Sequence, residues 1–209
     1  MMMESIPFLI SGVLFGLVAG ISPGPLMTLV ISQTVKHNRR EGMFTACAPI
    51  LSDLPIVLLS IFVLAKLSSF NHILGAISFL GALFIAYLGY ESITLKGIEL
   101  NLQEVKAQSI RKGIITNFLN PNPYLFWITV GAPSVLKGYK INLLSVIFFI
   151  LGFYFFLVGS KIMVALVVDK SKSFLKSNAY IYIIKALGLI LFAFSVIYIK
   201  DGLKYFGII

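Results

Sequence analysis

Three features of this sequence could do chemistry: an aspartate, a lysine, and a proline-broken stretch that occurs twice, all within apolar segments. Asp53 lies midway along one such segment, between Pro49 and Pro55. An ionised carboxylate at that depth in a bilayer is costly, so it is expected to face a cavity or a partner. There it can bind a substrate ammonium, carry a coupling proton or pair with a lysine; a purely structural ion pair is the plain alternative. Lys161 is also deep in an apolar run. It can reach Asp53 or a substrate carboxylate, or its stem can snorkel to the membrane surface, and both readings stand.

The repeated stretch is Ser22-Pro23-Gly24-Pro25 in the first copy and Asn120-Pro121-Asn122-Pro123 in the second. Proline removes a backbone donor and clashes with the preceding turn, so each copy is expected to stop one helix. A capping residue followed by proline then suits the start of another, with Ser22 and Asn120 as caps. The free amides of a half-helix start, with the helix dipole, make a site for an anionic group such as a carboxylate. Gly24 allows close approach to the backbone. Asn120 and Asn122 add amide donors and acceptors, and Asn117, one turn earlier, shares their side of the helix. A packing kink is the competing reading of a single proline, and two matching double-proline stretches count against it. Tyr124 and Trp127 follow the second copy and are candidates to line the same cavity. Tyr154 and the remaining aromatics are expected mainly at lipid or in packing.

The elements that must position these residues follow from composition. Of 209 residues, 58% are hydrophobic and 12% charged, against about 25% charged in soluble domains. Only lipid accommodates that much apolar surface. The expectation is one all-α polytopic membrane domain over 1–209. Six segments are long enough to span: 6–33, 43–65, 72–95, 113–136, 142–167 and 180–199. The linker 96–112 is polar and is expected to form a short surface helix. The N-terminus lacks the positive region of a signal peptide, so its apolar run is expected to stay as a helix. The net charge of +9 is scattered between apolar runs, which argues for orientation in the bilayer and not for nucleic acid. Loops after the first, third and fifth segments hold Lys36, Arg39, Arg40, Lys96, Lys106, Arg111, Lys112, Lys170, Lys172 and Lys176. The other side holds Lys66, Lys137, Lys140, Lys200 and Lys204. Positive loops stay inside, so both termini are expected outside.

The two halves resemble each other. Besides the proline stretches, Leu80-Gly81 through Ala86-Tyr87 aligns with Leu187-Gly188 through Ala193-Phe194. Three helices per copy place the second copy upside down. The expected fold is therefore two inverted three-helix repeats, about 6–95 and 113–199, with helices 1 and 4 broken at the proline pairs. That is a ground plan of secondary transporters, with a midplane site at the breaks. Gly12, Gly16 and Gly20 make a smooth stripe for close helix packing. The single cysteine, Cys47, excludes an intrachain disulfide and reads as an inert thiol. His37 and His72 lack metal spacing, and no phosphate loop or nucleophile elbow appears. No enzyme activity, cofactor or metal is expected; a homo-oligomer is compatible with the sequence.

These motifs, in order, resemble those of the LysE/RhtB family of small amino-acid exporters over nearly the whole chain. The resemblance rests on Ser22 to Pro25, on Asn38-Arg39-Arg40-Glu41-Gly42, on Asp53, on Leu80-Gly81-Ala82 with Tyr87-Leu88-Gly89, and on Gly113 with Thr116-Asn117-Phe118-Leu119-Asn120-Pro121. It implies a multi-pass cell-membrane exporter of amino acids or related metabolites, driven by the proton gradient or membrane potential. The chain departs from the family pattern in two places: Asn122 and then Pro123 follow Asn-Pro where the family usually has a lysine, and Ser52 replaces the usual glycine before Asp53. A cation or heavy-metal exporter of a related family is the alternative; metal transport usually draws on several intramembrane carboxylates, Cys or His.

Overall fold

The structure, a computed structural model, describes residues 2–67, 70–94, 109–171 and 177–208. Among these residues it is helical throughout, with no strand. The helices are α1 (Met2–Ile21), α2 (Pro25–Lys36), α3 (Arg39–Ala46), α4 (Ala48–Leu67), α5 (Asn71–Thr94), α6 (Ser109–Leu119) and α7 (Pro121–Phe126). A π turn (Trp127–Gly131) then leads into α8 (Ala132–Ile141), α9 (Leu143–Lys170) and α10 (Asn178–Tyr205). Five helical stretches are long and apolar enough to cross a membrane: α1, α3 with α4, α5, α9 and α10. Their outer faces carry bare apolar side chains, among them Leu59, Phe62, Leu83 and Phe155. That surface suits lipid and not water.

Segment 6–33 is two helices, α1 and α2, and segment 113–136 is divided among α6, α7, the π turn and α8. The turn after α2 is not a bare basic loop but the start of a separate helix, α3. Asn38 caps it, accepting from the amides of Arg40 and Glu41. The surface helix expected over 96–112 falls largely outside the described residues; 109–112 already belong to α6.

Two helix pairings dominate, α1 along α9 and α5 along α10. The glycine stripe permits the first. A Cβ on Gly12 would stand 2.4 Å from the Phe149 carbonyl oxygen, one on Gly16 2.3 Å from that of Phe153, and one on Gly20 2.9 Å from that of Leu157. The partner atoms are backbone, so neither helix can yield locally. Gly16→Ala is expected to push the pair apart and cost about 1–3 kcal/mol, read as a lower melting temperature of the purified protein in detergent. An unchanged melting temperature would contradict this packing. At the second pairing, Gly89 and Gly188 each face the other's carbonyl, with added Cβ atoms 2.9 and 2.8 Å away.

The π turn starts from Pro133 and is accommodated by α5. Pro133 has no N–H for the carbonyl one turn back and its ring displaces that carbonyl. The carbonyl belongs to Thr129. It leans toward Gly81 of α5, where a Cβ would sit 2.6 Å from its oxygen. Widening the helix here accompanies full burial of Trp127, whose ring lies over Gly131. Phe15, Ile85, Trp127, Phe153 and Leu191 meet in the central apolar cluster.

Candidate functional site

Both helix breaks open onto one cavity of about 120 Å³. At about 30 Å³ of liquid volume per water, that is room for about four waters or a metabolite of similar bulk. Ser22, Pro23, Gly24, Asp53, Asn117, Asn120, Asn122, Pro123, Trp127 and Lys161 all line it. Pro25 and Pro121 do not line it; they occupy the first positions of α2 and α7 with exposed rings. Tyr124 points away, half-exposed, and its hydroxyl donates to the Phe118 carbonyl at 3.0 Å.

The first break differs from the expected cap. Ser22 directly follows α1, its amide closing the last turn on the Val18 carbonyl at 2.9 Å. The cap of α2 is Gly24, with Pro25 at the first position. Gly24 is fully extended at φ −176, a conformation any residue adopts, and a Cβ there would meet nothing within 4 Å. Its glycine therefore relieves no strain; it leaves the cavity wall low beside the backbone. The first intrahelical donor is the Thr28 amide, bonded to the Gly24 carbonyl at 2.9 Å. The amides of Leu26 and Met27 precede it and have no carbonyl one turn back. Both residues line the cavity.

At the second break Asn120 is the cap, and its side chain accepts from the Asn122 amide at 3.1 Å. Pro121 and Pro123 have no N–H. The early amides of α7 are thus absent or already used, so the anion site expected at both breaks has backbone donors only at α2.

The carbonyl ends left by the breaks also need partners. Lys161 supplies them at the end of α1. Its ammonium donates to the carbonyls of Ala19 at 2.9 Å and Gly20 at 3.3 Å, and the residue is 4% exposed. It therefore sits at the negative end of the α1 dipole instead of snorkelling. The Tyr180 hydroxyl donates to the next carbonyl, Ile21, at 2.9 Å.

Asp53 is 3% exposed on α4. Asn117 Nδ2 donates to its Oδ1 at 2.6 Å and to Ser52 Oγ at 2.8 Å. Ser52 in turn donates to the Ala48 carbonyl at 3.0 Å, the local bond its type favours. The Tyr154 hydroxyl reaches Asp53 Oδ2 at 3.4 Å. Trp127 stands beside the carboxylate, and its fully buried indole N–H has no hydrogen-bond partner of normal geometry. Asp53 and Lys161 do not touch as an ion pair. They face one another within the cavity, close enough to interact electrostatically.

Tyr154, expected at lipid or in packing, and Glu91 and Tyr180 join the site only in the structure. Tyr154 and Lys161 lie seven residues apart on α9, two turns along one face, a spacing that could have linked Tyr154 to the site. Glu91, near the end of α5, also lines the cavity. Nothing local in the sequence joins Tyr180 to Ile21.

The arrangement offers a carboxylate with amide and indole donors on one side. On the other it offers an ammonium and two free backbone amides. A family model described as LysE type translocator matches residues 17–201. Comparison with curated proteins and with solved structures gave no match.

Proposed function

The chain belongs to the LysE type translocator family, and from that premise we propose that it exports amino acids or related small zwitterionic metabolites across the cytoplasmic membrane. The proton gradient or membrane potential drives the export. The observation that carries the proposal is the single cavity in which buried Asp53 and buried Lys161 stand with both helix breaks. A zwitterion matches it: the ammonium goes to Asp53, and the carboxylate goes to Lys161 and the Leu26 and Met27 amides. Binding each charge at a fixed opposite charge offsets the loss of its water.

In this reading the chain crosses six times as two inverted repeats, about 6–95 and 113–199, with both termini outside. The placement of the two charges supports it. Lys161 holds the carbonyl of Ala19, three residues before Ser22; Asp53 holds the side chain of Asn117, three residues before Asn120. Each repeat thus lends one charge to the helix end of the other. An inverted repeat built around a midplane site is one arrangement that serves alternating access.

The test is a comparison of metabolites in the medium of cells with and without the gene. A small zwitterion enriched only with the gene is the expected result. Release of a divalent metal alone, or metal tolerance without metabolite release, would overturn the reading in favour of cation export.

A further inference from the structure

A second cavity, of about 720 Å³, lies at the opposite ends of the helices from Lys36 and Arg39. It is framed by α1, α8 and α10, with the end of α4 and the start of α5. Its wall is not purely apolar. Ser134 and Tyr198 share a buried hydrogen bond of 3.0 Å, and Lys137 and Asp201 form an ion pair, partly exposed. One side chain, Phe15, lines both this cavity and the central one. Its ring meets Phe126, of the central cavity, edge-on at 5.7 Å, and Phe194, of the second cavity, edge-on at 5.1 Å. The partition between the two spaces at this point is one buried aromatic ring held between two others.

We propose that the second cavity is the outer transit site of the translocation path, and that the Phe15 ring closes it from the central site. The occupant is the same small zwitterion, so the assignment rests on the transport reading above. Lys137 and Asp201 satisfy each other when the space is empty. An arriving zwitterion can exchange that bond for two of its own, carboxylate to Lys137 and ammonium to Asp201, without leaving a charge unpaired. In this proposal a rotamer change of Phe15, against the packing of the central cluster, joins the two spaces.

Accessibility of introduced cysteines tests this without knowledge of the substrate. In a Cys47→Ala background, Ser134→Cys and Ser78→Cys place a thiol in the second cavity, and Ala19→Cys places one in the central cavity. A membrane-impermeant cationic thiosulfonate is applied to sealed vesicles from the face bearing Lys137 and Asp201. The expected result is labelling of the second-cavity thiols and protection of the Ala19→Cys thiol. Adding Phe15→Ala, or Phe15→Leu should the first variant fold poorly, is expected to raise labelling of Ala19→Cys by an order of magnitude or more. Protection of both second-cavity thiols overturns the proposal. So does labelling of Ala19→Cys that is unaffected by Phe15. The failure of export is read separately, by metabolite release from cells, so the two readings fall independently.

Discussion

Asp53→Asn is expected to cut gradient-driven export about tenfold to a hundredfold while leaving the protein in the membrane at normal abundance. The substitution keeps shape. An amide oxygen can still accept from Asn117 Nδ2, now at 2.6 Å from the carboxylate, so α4 and α6 stay joined. Only the charge is lost, and with it the group that receives an ammonium or a proton. A hydrogen bond to a charged group contributes about 1.5–3 kcal/mol. If that attraction is used in the rate-limiting step, its loss is about a tenfold to a hundredfold fall in export. The check is the rate of metabolite release from preloaded cells at matched membrane abundance. Release at the parental rate would remove Asp53 from the mechanism and leave it as a helix-joining residue.

Lys161→Met is expected to cost both transport and stability. Methionine fills the same channel through the packing but cannot donate. The carbonyls of Ala19 and Gly20 lose their donor, and unsatisfied buried acceptors cost about 1–3 kcal/mol. The Asp53 carboxylate also loses its nearest counter-charge within the cavity, and an uncompensated buried charge is strongly destabilising. The double variant Asp53→Asn with Lys161→Met separates these effects. It removes both charges, so its drop in melting temperature is expected to be smaller than the sum of the two single drops, the non-additivity of groups sharing one environment. Strict additivity would mean that the two charges do not sense each other. Transport is expected to stay impaired in the double variant.

The helix breaks were legible because proline acts locally: its missing N–H and fixed φ are properties of the residue. Asp53 and Lys161 stood out because charge deep in an apolar run has few tolerable settings. The start of α3 was also written in the sequence. Asn38 followed three residues later by Glu41 is a capping-box spacing. The glutamate, however, does not turn back to the cap amide; it accepts from the Ser109 hydroxyl, a partner sixty-eight residues away. The cap at the first break was misread for a local reason as well. Two prolines in four residues offer two possible first positions, and the amide of Ser22, still bonded to Val18, decides between them.

What the sequence withheld depends on pairs of elements. The π turn needs Pro133 on one helix and the space at Gly81 on another. The reach of Tyr180 to Ile21 and the two-sided position of Phe15 exist only once α1, α9 and α10 are assembled. The unequal chemistry of the two breaks was hidden for a local reason instead, the position of the cap within each stretch. Their sequences look like copies, yet prolines at 121 and 123 and the Asn120 side chain use up the amides at one, while two amides stay free at the other. In the proposed reading, a carboxylate at α2 and an ammonium at Asp53 would give the site a direction that neither motif has alone.

The most direct measurement uses purified protein in liposomes loaded with a mixture of small zwitterions, under an imposed proton and voltage gradient. The vesicle contents are assayed over time, with the parental chain and with Asp53→Asn. The account predicts that the parental chain depletes at least one small zwitterion and that Asp53→Asn largely retains it. Equal retention of every zwitterion by both, or equal depletion by both, would contradict a path through the cavity between the two helix breaks.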